Sequence, residues 1–135
     1  MALAQALDAA PGIYFPDPVK ATAGIHFMKV LKALGGRDQS LAGRLRPFPN
    51  GATAMGELAK AAERGVIGCT QVTEILHTQG TQLVGVLPKA FELATVYTAA
   101  VCTKAVEPVA AAALVALLAG GAASQVRAAV GFEER

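Results

Sequence analysis

The sequence predicts an α/β protein, a three-layer sandwich built on a mainly parallel sheet. Three observations carry this reading. Short apolar runs, at residues 12–15 and 66–70, end abruptly in turn-forming residues, as buried strands do. Each is followed by a stretch whose apolar positions recur at three- and four-residue spacing, which marks an amphipathic helix. The two patterns alternate along one chain, and alternating strands and helices favour parallel crossover units.

Residues 12–15 form the first strand. Pro16, Asp17 and Pro18 close it, because two prolines around an aspartate neither extend a ladder nor begin a helix. From Gly24 the residues Ile25, Phe27, Met28, Val30, Leu31 and Leu34 recur at helical spacing, with Lys29 and Lys32 opposite and Gly35-Gly36 as the stop. Thr22, Ala23 and Gly24 stand at the start of this helix, where small residues leave backbone N–H groups open to an anion. A strand carboxyl end facing a helix start is a common α/β ligand position, so this turn is the first candidate site.

One helical turn is expected around residues 40–43 and a brief strand at 45–48. Pro49-Asn50-Gly51 then turns the chain into a helix over 53–64, with Thr53 as N-cap and Gly65 as stop. Residues 66–70 read as a buried strand, followed by a short helix from about Thr73 to His77. Residues 83–87 and 93–102 read as two further strands, pairing near the sheet centre; the second is the longest β-favouring run in the chain. Glu107-Pro108 opens an alanine-leucine helix to Ala119 that is apolar nearly all round, and another helix follows Gly120-Gly121 at about 123–130. The expected division is an α/β ligand-binding domain over 1–104 and a C-terminal helical pair over 105–135.

Composition narrows the function. With 135 residues, 53% of them hydrophobic and 16% charged, the chain has material for one globular core. Its net charge of +2 arises from 12 basic and 10 acidic side chains without a basic run, which makes nucleic acid a poor partner. The longest apolar tract falls short of the roughly 20 residues of a membrane-spanning helix. The opening MALAQALDAAPG lacks a basic region ahead of an apolar core, so the sequence as written predicts no secretory signal and a cytoplasmic chain. Cys69 and Cys102 lie in apolar runs without metal-ligand spacing and read as buried free thiols.

No cofactor, metal or catalytic motif emerges: the chain has no phosphate loop with its Lys, no HExxH and no CxxC. Asp17 is a secondary ligand candidate, although a carboxylate between two prolines is better suited to closing its own turn. His26 reads as a half-buried packing residue, His77 as a cation at a helix C-terminus, Glu74 as a solvated helix carboxylate, and Tyr97 as core. An enzyme is unsupported by these residues rather than excluded.

Four segments give the chain a family resemblance: YFPDPVKATAGIHFMKVLKALG, ERGVIGCTQVTEI, VGVLPKAFELATVYTAAV and AALVALLAGGAASQVRAAVGFE. In order and spacing they resemble the second half of the molybdate-type periplasmic solute-binding proteins of ABC transporters, which have the type II periplasmic-binding-protein fold. The resemblance implies one lobe of that fold plus the final helices, which in the family pack on a first lobe that the chain as written lacks. It also implies a periplasmic location for the full-length family and an ABC transporter permease as partner. Family members hold a tetrahedral oxyanion through neutral donors, many of them backbone N–H groups at helix starts. Carried over, these contacts fall at Ala23, at Thr53 beside Ala54, and at Gln71. A tyrosine often takes the place of Gln71 in molybdate binders, so the resemblance leaves open a binder or isomerase of small organic (tri)carboxylic acids, in which Asp17, His26 or Glu74 would supply acid–base chemistry. A remnant without a tight ligand is the third reading. The apolar helix, with Val109, Leu114, Val115, Leu117 and Leu118 and no polar face, leads to the expectation of a homodimer.

Overall fold

The computed structural model describes residues 2–133. Contacts divide the chain into two compact units, Met1–Glu92 and Leu93–Arg135. In the first, three strands make a parallel sheet: β1 (Ile13–Pro16) lies between β2 (Leu45–Phe48) and β3 (Ile67–Gly68). Ile13 is aligned with both Leu45 and Ile67, and Pro16 with Phe48, so the carboxyl ends of the strands share one edge.

All four residues of β1 are buried, as expected of a parallel strand covered on both faces. Ile13 and Phe15 face a cluster built from Leu7 of α1 (Ala2–Ala9), Phe27, Val30 and Leu31 of α2 (Thr22–Ala33), and Leu34 and Leu41. The Phe15 and Phe27 rings meet at 5.3 Å with a tilt of 59°. Ala54 and Met55 of α4 (Gly51–Lys60), both buried, belong to the opposite layer, where Met55 and Leu58 close over Gly68. Helices on both sides of a parallel sheet make the expected α/β sandwich.

Arginines fasten the rim of this unit. Arg37, which opens α3 (Arg37–Ser40), donates to both oxygens of Asp8 at 2.9 and 2.6 Å, and its hydrogen bond holds that carboxyl below the usual carboxylate range. Arg44, in the 3₁₀ turn Ala42–Arg44, donates to the carbonyls of Asp8 and Ala10 at the end of α1. Arg46 lies over the Tyr14 ring, donates to its hydroxyl at 2.7 Å and pairs with Glu63.

Several sequence expectations need correction. α1 is a helix that the opening residues, read only for targeting, did not announce. α4 begins at Gly51 rather than Thr53, because the Asn50 side chain caps it by accepting the Thr53 N–H at 2.8 Å; it ends at Lys60, where Ala61 turns to extended backbone. β3 shrinks to two residues and is followed by α5 (Val72–His77).

Residues 83–87 and 93–102 are not strands. β-branched side chains favour a strand when they fit a half-buried pleated surface beside a neighbour. Here Val84 is 96% and Tyr97 59% exposed, and no ladder partner is present among the described residues. Tyr97 is therefore not core, although its ring meets Phe132 edge-on at 5.5 Å within the second unit. Cys102 is exposed rather than buried, since its apolar neighbours find nothing to cover it.

The second unit contains α6 (Pro108–Ala119) and α7 (Ser124–Ala129), joined by the 3₁₀ turn Gly121–Ala123. Arg127 donates to the Leu118 and Gly120 carbonyls at 2.8 Å each, satisfying acceptors at the end of α6. No single helix among the described residues is long and apolar enough to cross a membrane; only α6 together with residues 121–129, bent by 51°, reaches that length and composition.

Candidate functional site

The register of the sheet decides where a ligand could meet the chain. Parallel strands whose carboxyl ends share an edge deliver their following helices to that edge, N-terminus first. α2 follows β1, α4 follows β2 and α5 follows β3.

The loop after the central strand is held by its own carboxylate. Asp17 Oδ1 accepts the Val19 N–H at 2.7 Å and the Lys20 N–H at 2.8 Å. These bonds, Val19 first, hold its carboxyl below the usual carboxylate range, with the Lys20 charge adding. Gly24 lies against the Pro16 and Asp17 carbonyls so closely that a Cβ there would overlap both oxygens. This close approach brings the first turn of α2 directly onto the end of β1. Its N-cap, Ala21, has no side chain able to cap. Among the described residues, no hydrogen-bond acceptor meets the N–H groups of Thr22, Ala23 or Gly24, while the Ala21 and Ile25 N–H groups are used at 3.1 and 2.9 Å.

The start of α4 differs. The Thr53 N–H is taken by Asn50 and the Ala54 N–H by the Asn50 carbonyl at 3.0 Å, so Thr53 has its exposed hydroxyl to offer and Ala54 is buried in the core. Gly51 faces a side-chain cluster from the neighbouring loop. Thr70 donates its hydroxyl to the Glu74 carboxylate, and a Cβ at Gly51 would overlap both side chains. Gln71, half-buried, is the N-cap position of α5.

All the sequence-derived contacts thus follow the carboxyl ends of three adjacent strands. Asn50, Gly51 and Thr70 were missed. Asn50 had a legible signal, an Asn three residues before Thr53, whereas nothing local tells that Thr70 and Glu74 meet the start of another helix. The three acid–base candidates all hold structure: Asp17 its turn, Glu74 the Thr70 hydroxyl, and His26 Nε2 the Phe91 carbonyl at 2.7 Å. An open groove of about 440 Å³ runs along the same edge, lined by Asp17, Lys20, Phe48 and neighbouring prolines.

The unpaired helix-start donors at this sheet edge belong to α2, at a position where parallel α/β units commonly bind ligands. Residues 2–133 match the bacterial extracellular solute-binding protein family, and the chain belongs to that family. No curated protein and no solved structure matches it. The family implies a small ligand and a transporter as partner, and its description places its members outside the cell.

Proposed function

We propose that this chain binds a small anion of the molybdate-like oxyanion class at the carboxyl edge of its sheet and serves an ABC transporter permease. The start of α2 supports this reading most: a 12-residue helix opens on the end of the central strand without a side-chain cap. A helix N-terminus favours a nearby anion by about 0.3–1 kcal/mol before direct hydrogen bonds are counted. Ala23 is the central contact, flanked by Thr22 and Gly24, with the Thr53 hydroxyl and the Gln71 carboxamide as outer donors. Arg44 and Arg46 take no part, since both are engaged on the rim.

Titration calorimetry with molybdate, sulfate and citrate tests this. Saturable binding of an oxyanion that weakens in Gln71→Ala, with an unchanged melting temperature, is expected. No heat with any ligand would refute the reading. Lys20 beside the groove favours a second reading, a small organic (tri)carboxylic acid, which a response to citrate alone would select.

The chain also pairs with a second copy of itself through α6. Leu114, Leu117 and Leu118 are 55%, 61% and 54% exposed, and covering each is worth roughly 1.5–3 kcal/mol for full burial. An isologous contact would cover the same face on both copies. Light scattering that gives a monomer near 13.7 kDa at micromolar concentration would refute the dimer.

A further inference from the structure

We infer that residues 94–102 are a self-pairing edge, on which a second copy of this chain lays the same run antiparallel, with a two-fold axis at Thr98. This contact is separate from the one through α6 and does not depend on it. The stretch LATVYTAAVCT, residues 93–103, has no charged residue, no Pro and no Gly, and it is rich in residues that favour strands. Every residue from Glu92 to Lys104 is exposed, Leu93, Val96 and Val101 among them. The sheet of the first unit consists of β1, β2 and β3 and does not include this run. A turn at Thr103 and Lys104, in which the Ala105 N–H donates to the Cys102 carbonyl at 3.1 Å, ends it on one side.

An exposed strand-forming run is a template for another strand, and the charges beside it select which one. The nearest are Lys89 and Glu92 before it and Lys104 and Glu107 after it. Laid antiparallel about Thr98, Glu92 of each copy comes beside the partner's Lys104, and Lys89 comes toward the partner's Glu107. Parallel, in-register pairing would instead set like charges together at all four positions. Opposite charges across a strand pair are favourable and like charges destabilise it, so the flanks favour the antiparallel copy. The same register sets Thr98 against its own counterpart, a favourable cross-strand pair, and places Val96 opposite Ala100. A lone two-stranded ribbon is marginal in water, but here the Tyr97 ring meets Phe132 edge-on, so each strand rests on its own second unit.

The test uses the full chain in a Cys102→Ser background, with Thr98→Cys and Val101→Cys made separately, oxidised in air at micromolar concentration and run on a non-reducing gel. Circular dichroism checks the fold. Across the two-fold axis the Cβ atoms at position 98 stand about 4.5–5.5 Å apart, whereas the two copies of position 101 are about 20 Å apart. Thr98→Cys should therefore form a covalent dimer at least about tenfold faster than Val101→Cys. Without added cysteines, Glu92→Lys should weaken the dimer about fivefold in light scattering, and adding Lys104→Glu should restore it. Equal cross-linking at the two positions, or no restoration by the charge swap, would overturn the inference. A dimer by light scattering in which Thr98→Cys does not cross-link would overturn it and leave the α6 contact standing. A monomer would overturn both contacts and leave the run to a different partner.

Discussion

Individual side chains already divide into those whose roles follow from their neighbours in sequence and those that need the fold. Asp17 belongs to the first kind, because a carboxylate between two prolines has its own loop amides within reach. Since those amides depress its pKa, Asp17 adds stability that is fully present above the usual carboxylate range and is lost as pH falls through its lowered value. Asp17→Ala should lower the melting temperature at pH 7, and the difference from the native chain should shrink on acidification below about pH 4. Gly24 is legible only in part: the helix pattern starts there, but the approach of Pro16 and Asp17 is a property of the packed chain. Gly24→Ala should cost about 1–3 kcal/mol in urea unfolding, in line with forced overpacking. The cysteines show how far local hydrophobicity misleads. Both lie in apolar runs, yet Cys102 is exposed, whereas burial pushes the Cys69 thiol up to about 12. A thiol reagent at pH 8 should therefore label exposed Cys102 quickly and half-buried Cys69 much more slowly; equal rates would contradict the placement.

Secondary-structure elements were readable where their signal is periodic and self-contained. α2, β2, α5 and α6 fall close to the residues that their apolar spacing and flanking turns indicate. The start of α4 was displaced by two residues because Asn50 and Thr53 are both good capping residues and only backbone geometry decides between them. Asn50→Ala should destabilise the chain by about 0.5–2 kcal/mol, whereas Thr53→Ala should lie within about 0.5 kcal/mol of native. The reverse order in chemical denaturation would restore Thr53 as the cap. Residues 83–87 and 93–102 were misread for a different reason. A strand exists through its neighbour, and valines and threonines in sequence carry no information about whether a neighbour is present.

The chain as one object was legible in class more than in detail. Alternating patterns gave the parallel α/β sandwich, and the order of four segments pointed to solute-binding proteins, the family to which residues 2–133 belong. The candidate site was legible to the extent that a strand end followed by small residues marks a helix start. Its asymmetry was not, because the meeting of Thr70, Glu74 and Gly51 depends on two loops that only the sheet register brings side by side. The central claim is that the unpaired N–H groups opening α2 hold the anion. Thr22 is the first helical position and follows Ala21 in extended backbone at φ −99° and ψ 128°, so a proline there removes one N–H without breaking the helix. The most direct measurement is the affinity of Thr22→Pro for molybdate beside that of the native chain, with thermal melting of both. The account predicts at least a fivefold loss of affinity, the worth of about one hydrogen bond to a charged group, at an unchanged melting temperature. Equal affinity in the two chains would place the anion elsewhere and contradict it.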